Sequence, residues 1–253
     1  MTSDEQLVDL QETLYTSRNP TRRWLHCSRR DNITAEIEAI GPGVARALEV
    51  GPGAGGYLPV LAANADEVVA ADIEQAYLVQ AQKHAQSLPN LSCARDDITA
   101  TQLPPASFDL ILCTEVIEHI ADSQAALRGL HQLLKPGGRL ILSTPQRYSP
   151  LEVCAKVAFL PGIIQLVKWI YREPIIETGH INLLTESGLK TQLAAANLQI
   201  HREYKSGFYL PLVAEFLGEK GLSLLRYLES KLQGSTLSGL LWTQYYVLSK
   251  VGE

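Results

Sequence analysis

Hydrophobic and polar residues follow two different rhythms along this chain. Short, continuous apolar runs lie at 46–50, 67–73, 91–94, 108–113 and 139–144. Stretches with the spacing of an amphipathic helix separate them, at about 57–64, 74–86 and 122–134. Buried strands that alternate with helices are typical of a parallel sheet that is covered on both faces. The pattern therefore predicts a doubly wound α/β domain.

The N-terminal region departs from this rhythm. Residues 4–40 contain two helical patterns, which the helix breaker Asn19-Pro20 divides. A Gly-Pro-Gly turn follows them and precedes the first apolar run. We therefore predict a helical arm or lid at 1–43 and a main domain at 44–253.

The rhythm changes again after the fifth apolar run. Two apolar, helix-like insertions are expected as caps on the domain, at about 146–182 and 207–234. An ordinary helix is predicted at 185–196, and two further strands are predicted at 198–204 and 243–250. Long excursions of this kind in a compact domain usually have a function.

The composition narrows the class of protein. The chain is 46% hydrophobic and 19% charged, with a formal net charge of −5, so a long-range basic field for nucleic acid is absent and no nucleic-acid partner is expected. The four cysteines are scattered without a CxxC pair, which favours reduced thiols and a cytoplasmic location. The acidic, polar start is unlike a signal peptide. No apolar stretch is long enough to predict a membrane span, although peripheral membrane contact through 157–170 stays open.

A glycine-rich loop follows the first apolar run and opens a helical pattern. Its glycines allow a sharp turn close to a ligand, and the helix N-terminus offers free N–H groups. A dinucleotide loop has similar spacing, and Asp72, at the end of the second run, suits the ribose hydroxyls of either ligand. Glu49 precedes the loop, where a carboxylate would repel a pyrophosphate and attract the amino group and sulfonium of S-adenosylmethionine (SAM).

Five ordered segments between about residues 45 and 146 resemble the class I SAM-dependent methyltransferases. The loop E-V-G-P-G-A-G resembles their motif I, AADI their acidic ribose-binding strand end, FDLILCTEVIEH their motif IV, and LLKPGGRLILSTP the entry to their fifth strand. Asp97-Ile98 resembles their adenine clamp, with Asp96 as an alternative by one position. The resemblance implies a Rossmann-like, mostly parallel, seven-stranded sheet whose last strand, 243–250, is antiparallel. It also implies that SAM contacts Glu49, Gly51, Gly53, Gly55, Asp72, Ile73, Asp97, Ile98, Cys113 and Thr114.

An E-x-x-E-H pattern, Glu115, Glu118 and His119, ends the fourth predicted strand, where open α/β sheets bind ligands. It resembles the metal motif of the ubiquinone-biosynthesis O-methyltransferases and of the small-RNA 2′-O-methyltransferases, and His180 partly matches a later histidine of the second family. The resemblance implies that these four residues hold a divalent ion such as Mg²⁺, which would lower the pKa of an acceptor hydroxyl. Alternatively, His119 or His180 is a metal-free general base beside Glu115. A third interpretation is that Glu118 and His119 only cap the next helix while Glu115 faces solvent.

The arm and the two caps are expected to surround the acceptor. Their aromatic residues suggest a hydrophobic pocket, although core packing of extra helices would explain most of them. These residues are Tyr148, Phe159, Trp169, Tyr171, Phe208, Tyr209 and Phe216. The fourth strand is not followed by the Asn/Asp-Pro-Pro-aromatic signature of nitrogen-methylating enzymes. We therefore expect methylation of oxygen on a small or lipid-like acceptor.

Other classes of function stay open at this point. A SAM-binding sensor or scaffold without catalysis would share the cofactor pocket. An NAD(P)-dependent oxidoreductase would share the fold, but Glu49 opposes it. The arginines around Asn19-Pro20 are interpreted as a solvated helix face, with the alternative that Arg18 or Arg29 folds over the SAM carboxylate as a lid.

Overall fold

The computed structural model describes residues 13–160, 162–165, 167 and 179–251. The strands are β1 (Val44–Val50), β2 (Ala65–Asp72), β3 (Leu91–Arg95), β4 (Phe108–Thr114), β5 (Leu134–Pro145), β6 (Leu198–Ser206) and β7 (Thr243–Lys250). The helices are α1 (Pro20–Ile40), α2 (Leu58–Asn64), α3 (Gln75–Ala85), α4 (Ser123–Leu133), α5 (Pro150–Ala158), α6 (Glu186–Ala195) and α7 (Val213–Leu232). Each strand and helix that the apolar pattern predicted within the described residues is therefore present.

All seven strands form one sheet in the order β3-β2-β1-β4-β5-β7-β6. Neighbouring strands are parallel except at β7, which is antiparallel to both β5 and β6. This confirms the expected Rossmann-like sheet with a reversed last strand. The strand order reverses between β1 and β4, because the chain adds β2 and β3 on one side of β1 and then returns to add β4 on the other side. Ligands of such folds bind at this switch point, outside the carboxyl ends of the strands.

Helices bury the two faces of the sheet because successive strand residues point to opposite sides. On one face, α4 and α6 pack over residues such as Leu48 and Leu142. On the other face, α1, α2 and α3 pack over residues such as Ala47 and Ile141. The sheet is therefore a buried central layer, and its polar chemistry is confined to the strand ends and loops.

The N-terminal helix α1 is part of this packing. Asn19 caps it by accepting a hydrogen bond from the backbone N–H of Arg22 at 2.9 Å, and Pro20 occupies its first turn, where no N–H is needed. Two of its side chains, Ile33 and Ile37, are fully buried against the sheet. The arm therefore contacts the main domain over the face that also carries α2 and α3.

The arm also supports a third apolar cluster with the second cap. This cluster joins α1, the segment after β6, α7 and the start of β7. It buries Phe208, which bears out core packing for that aromatic residue, whereas Tyr148 and Phe216 are exposed. Trp169 and Tyr171 lie outside the described residues.

Two local predictions need correction. The fifth strand begins before the apolar run at 139–144 that predicted it, because Leu134 already pairs with Phe108 and the register shifts before the next pairs. The interpretation of the N-terminal arginines as a solvated face is wrong for Arg29, which is only 9% exposed. The four cysteines are free, as expected. Among the described residues, no helix is both long and apolar enough to cross a membrane.

Candidate active site

The glycine loop follows β1 at the switch point, and two of its positions, Gly51 and Gly55, leave no room for a Cβ atom. Gly51 has φ +70°, and a Cβ built on it would lie 2.5 Å from Cγ2 of Val116. Its N–H donates to the carbonyl of Ala71 at 2.9 Å, which ties the loop to the end of β2. Gly55 has φ +80°, and its Cβ would lie 2.6 Å from the ring of His84. The loop is thus folded tightly against β2, α3 and the segment after β4.

His84 on α3 contacts this loop, although no motif of the sequence indicates it. Its Nε2 atom lies 3.0 Å from the carbonyl oxygen of Ala54, so α3 contacts the loop directly. The contact depends on the closure of α3 over the sheet, and no spacing in the sequence indicates it.

Glu49 lies at the end of β1 and is the most informative residue of the pocket. Glu49 is 1% exposed, and within the described part of the chain its Oε2 atom has no hydrogen-bond partner. Burial raises the pKa of this carboxyl to about 8. A buried carboxylate without a cation is unfavourable, so a ligand that brings a positively charged amino group fits this position and a pyrophosphate does not.

Asp72 lies at the end of β2, beside the loop. Its Oδ1 atom accepts a hydrogen bond from the backbone N–H of Glu74 at 2.8 Å. Burial raises the pKa of Asp72 to about 6, although the backbone hydrogen bond opposes that rise. The next residue, Ile73, is about half exposed. The carboxylate and this apolar side chain are therefore available at the strand end for a ribose and a neighbouring ring.

The segment after β3 contains the two candidate adenine contacts. Asp97 caps a short 3₁₀ turn, with Oδ1 accepting from the N–H and the hydroxyl of Thr99 at 2.9 and 2.7 Å. Asp96 accepts from the N–H of Gln102 at 2.8 Å. Ile98 is buried in the core against α4. Each aspartate has one oxygen in a local hydrogen bond, so the geometry does not decide between them.

At the end of β4, Cys113 is fully buried in the core while Thr114 is partly exposed. A SAM molecule at this strand end would contact Cys113 only through its backbone. Burial, with the nearby Glu118 as a smaller cause, raises the pKa of the Cys113 thiol far above its ordinary value. The thiol is therefore inert.

Glu115 adopts a left-handed conformation with φ +56°, which is uncommon for a residue with a side chain. Its Oε1 atom accepts a hydrogen bond from the Ser143 hydroxyl at 2.8 Å. Its Oε2 atom forms a salt bridge with Nη1 of Arg29 on α1. Both carboxylate oxygens are thus bonded within the protein, and the side chain does not face solvent.

Arg29 is held on several sides. Its Nη2 atom lies 3.0 Å from Nδ1 of His26, and its guanidinium lies 5.0 Å from the centre of the Trp242 ring. Burial lowers the pKa of Arg29, but Glu115 and the nearby tyrosines together outweigh burial, and the pKa lies above its ordinary value. The arginine is therefore a permanent positive charge next to Glu115. Arg18 is exposed.

Three of the four proposed metal ligands converge. Candidate ligand atoms of Glu118, His119 and His180 all lie within 4.8 Å of one another, and Glu115 lies outside this group. The Oε2 atom of the fully buried Glu118 accepts from the Thr144 hydroxyl at 2.9 Å, whereas its Oε1 atom has no partner among the residues that the structure describes. Burial, together with Glu115, raises the pKa of Glu118 well above its ordinary value.

The two histidines lie side by side, with their ring centres 5.2 Å apart. The Nδ1 atom of His119 is 3.3 Å from the carbonyl oxygen of Gly179, which only accepts hydrogen bonds, so Nδ1 carries the proton and Nε2 is left as an acceptor. Burial lowers the pKa of His119, and His180 lowers it further. His119 is therefore neutral near pH 7.

Two hydroxyl residues of β5 complete the site and were not identified from the sequence. Ser143 and Thr144 are fully buried at the carboxyl end of β5, where one bonds Glu115 and the other bonds Glu118. Their signal was a pair of hydroxyls at the end of an otherwise apolar strand. Because β5 lies beside β4 in the sheet, the two hydroxyls reach Glu115 and Glu118 after β4.

The switch-point loop, the buried Glu49 carboxylate and the acidic end of β2 are the features expected of a nucleotide-binding α/β protein, and Glu49 fits a ligand with a positive charge. A family model described as a methyltransferase domain matches residues 22–203. This match covers well over half of the chain, which therefore belongs to that methyltransferase family. It is a class I SAM-dependent methyltransferase, and the oxidoreductase alternative has no further support.

Curated relatives agree over part of their length. The ubiquinone biosynthesis O-methyltransferase of Pseudomonas paraeruginosa is 34% identical over 123 residues, which are 47% of this chain and 52% of that protein. The enzyme of the same name from Ruegeria pomeroyi is 40% identical over 154 residues, which are 57% of this chain and 60% of that protein. The chain thus matches between about half and three fifths of these relatives.

Solved structures share the fold at low identity. A magnesium protoporphyrin IX methyltransferase from Synechocystis with bound S-adenosylhomocysteine (SAH) has a TM-score of 0.64 and 19% identity, over 98% of this chain and 95% of that one. An N-methyltransferase from Bradyrhizobium japonicum in complex with SAH has a TM-score of 0.60 and 16% identity, over 99% and 97%. A [4+2]-cyclase also matches, with a TM-score of 0.59, 17% identity and coverage of 88% and 81%. The fold therefore accommodates different chemistry, and the reaction must be argued from the site.

Proposed function

We propose that this enzyme transfers the methyl group of SAM to a hydroxyl oxygen of a small, largely hydrophobic acceptor. The observation that carries the proposal is the convergence of Glu118, His119 and His180 beside the strand end that bears the SAM loop. Methyl transfer to an alcohol or a phenol requires the loss of a proton, which imidazole or a metal ion can assist. The curated relatives are named as O-methyltransferases, which supports the same reaction.

In this proposal the residues at the strand ends hold SAM. The Oε2 atom of Glu49, which lacks a partner, receives the amino group, and the backbone around Gly51 and Gly53 receives the amino-acid part of the ligand. Asp72 accepts hydrogen bonds from the ribose hydroxyls. Asp97 or Asp96 receives the adenine. SAM supplies an activated methyl group on a sulfonium, so the protein mainly has to align the acceptor oxygen with it.

The acceptor oxygen loses its proton as the oxygen–carbon bond forms and the carbon–sulfur bond breaks. His119 or His180 is the proposed base, because the Nδ1 atom of each lies against an oxygen of the protein and Nε2 is left to face the acceptor. Glu115 is bonded on both oxygens, which leaves it no free atom for the proton. We therefore assign Glu115 to the positioning of α1 and β5 at the site.

A divalent ion is a second way to activate the acceptor. The fit is supported by the Oε1 atom of Glu118, which is buried and lacks a partner, next to two imidazoles. One carboxylate and two nitrogens suit Mn²⁺ or another transition ion better than Mg²⁺, which prefers oxygen ligands. Such an ion would lower the pKa of the acceptor hydroxyl when bound. Glu118, His119 and His180 would hold it.

The hydrophobic character of the acceptor is proposed from the surroundings of the site. The outer side of α5 exposes Val153 and Val157, each close to half exposed, and Ile181 next to His180 is 67% exposed. Exposed apolar side chains on α5, the helix that carries the Glu152 contact to His180, and beside His180 itself favour an acceptor with an apolar body. The N-terminal arm is proposed as a lid, because Arg29 on α1 bonds directly to Glu115.

The test is an acceptor screen with tritiated SAM. Simple catechols, catechols with an apolar tail and an RNA hairpin are compared, with and without exhaustive chelation followed by Mn²⁺ or Mg²⁺. We expect transfer to the tailed catechol above the other two. Equal transfer to RNA would contradict the proposal, and SAM binding without any transfer would favour the sensor alternative. Activity that survives chelation without stimulation by added metal would assign the proton to a histidine alone.

A further inference from the structure

A buried carboxylate on the first cap lies against the site, and no motif of the sequence indicated it. Glu152 is in the first turn of α5 and is 6% exposed. The backbone N–H of Glu152 donates to the hydroxyl of Ser149, the cap of this helix, at 3.4 Å. Serine followed by glutamate three residues later is the pattern of a capping box, in which the glutamate would bond back to the serine N–H.

The structure does not use Glu152 in that way. The N–H of Ser149 donates to the carbonyl of Gln146 at 3.1 Å. The Oε1 atom of Glu152 accepts from Nε1 of Trp242 at 2.9 Å, and its Oε2 atom lies 3.2 Å from Nδ1 of His180. The carboxylate is therefore directed away from the helix end and into the site.

These contacts decide which nitrogen of His180 is free. The indole N–H of Trp242 donates to the Oε1 atom, so the second oxygen of the same carboxylate faces Nδ1 of His180. An ionised carboxylate only accepts hydrogen bonds, so Nδ1 of His180 must carry the proton. In the neutral imidazole Nε2 then keeps its lone pair, which is the state needed to ligate a cation or to receive a proton from a substrate.

We propose that Glu152 is a positioning residue that fixes the Nδ1–H tautomer and the orientation of His180, with Trp242 holding the other carboxylate oxygen. The role of His180 toward the acceptor rests on the function proposed above, whereas the tautomer does not. The His180–Glu152 pair is mostly buried, with 12% and 7% of the side chains exposed, so water does not compete strongly for either group. Trp242 is itself buried, at 6% exposure, so the indole that bonds Glu152 is held by packing.

Glu152→Gln gives a sharp test because an amide has one acceptor and one donor. The amide oxygen can accept from Trp242, since the indole nitrogen only donates. The amide NH₂ group then faces Nδ1 of His180 and donates to it, which moves the proton of the imidazole to Nε2. The substitution thus keeps the size of the side chain and reverses the tautomer of His180.

The first measurement is the histidine tautomer in protein labelled with ¹⁵N on its six histidines. Long-range proton–nitrogen spectra of the ligand-free chain distinguish the two neutral tautomers, and a His180→Gln variant assigns the signal. We expect Nδ1–H in the wild type, Nε2–H in Glu152→Gln, and Nδ1–H in the control Trp242→Phe. His201, whose Nε2 lies 2.6 Å from the Ser249 hydroxyl, is an internal reference that should not change.

The second measurement is function at His180. Glu152→Gln should lower Mn²⁺ affinity or methyl-transfer kcat/KM about 10- to 100-fold, the range for partners that orient a ligating or catalytic histidine. Trp242→Phe should change both by less than Glu152→Gln. If Glu152 only anchors α5 to β7, both variants will lower Tm and activity together and the tautomer will not change.

The proposed function and the positioning role of Glu152 can fail separately. If the wild-type protein neither binds Mn²⁺ nor transfers a methyl group, the proposed function fails while the tautomer shift still supports the role of Glu152. An Nε2–H tautomer in the wild type, or the same tautomer in the wild type and in Glu152→Gln, would overturn the positioning role.

Discussion

Replacing Glu49 by glutamine should weaken SAM binding and stabilise the ligand-free protein at high pH. The carboxylate is 1% exposed and its Oε2 atom has no partner. Its pKa is about 8 in the folded chain against an ordinary 4.5. The folded state therefore holds a proton on Glu49 across this interval that the unfolded state releases. Since the unfolded state binds fewer protons there, stability falls as pH rises from about 4.5 to 8.

The size of this loss of stability follows from the difference between the folded and unfolded pKa values of Glu49. Each unit is worth about 1.4 kcal/mol, so the ionised Glu49 costs roughly 3–5 kcal/mol above pH 8 and almost nothing below pH 4. Glutamine has nearly the same size and no charge, so it removes this pH-dependent cost. In the complex, the same change removes a charge-assisted hydrogen bond to the SAM amino group worth about 1.5–3 kcal/mol, which is about 10- to 100-fold in Kd.

Two assays measure the two effects. Urea unfolding at pH 5 and pH 9 gives stability, and calorimetric titration with SAM over the same range gives affinity. The ratio of wild-type to variant affinity cancels the titration of SAM itself. Glu229→Gln is the matched control, because Glu229 is another buried carboxylate with a raised pKa, but it bonds the backbone of Phe208 and lies on α7, in the third cluster. Equal SAM affinity of the wild type and Glu49→Gln, or a stability difference that does not depend on pH, would refute the reasoning.

Three further predictions concern the loop, the ribose contact and the arm. Gly51→Ala places a Cβ 2.5 Å from Val116 at φ +70°, so calorimetry should show a large loss of SAM affinity. The control Gly137→Ala, with φ +74° and open space around its Cβ, should bind SAM normally, and equal affinities of the two variants would contradict this prediction. The Asp72 carboxylate has a pKa of about 6, so SAM affinity should fall as pH decreases through 6, and a persistent fall in Asp72→Asn would assign it to another group. Arg29→Ala leaves the partly buried Glu115 with one bonded oxygen and should cost about 2 kcal/mol in urea unfolding. A loss below about 0.5 kcal/mol would show that the pair is dispensable.

Much of the fold was predictable because it depends on short-range pattern. Continuous apolar runs mark buried parallel strands whatever their neighbours are, and the helices between them follow from spacing. The start of β5 was placed too late, at 139, because pairing begins at Leu134 and that pairing depends on the position of β4 in space. The burial of Arg29 was missed for a related reason, since a charged residue on a helix is solvated unless a partner such as Glu115 lies opposite.

The site was predictable only where its residues are close in sequence. The loop with Glu49 and the E-x-x-E-H pattern were identified because local spacing gives them meaning. Ser143 and Glu152 were missed because each acts through a residue at least 28 positions away, and a lone polar residue in the sequence does not show its partner. A carboxylate that orients a histidine is therefore recognised from the folded structure and not from the sequence pattern.

The position of the transferred methyl group tests the central claim most directly. The enzyme is incubated with SAM that carries a ¹³C-labelled methyl group and with a tailed aromatic acceptor bearing one hydroxyl and one amino group, and the product is analysed by mass spectrometry and carbon NMR. We predict a single methyl ether on the hydroxyl oxygen, with its formation reduced in His180→Gln. A label on nitrogen or carbon, or full activity in both His119→Gln and His180→Gln, would contradict the account.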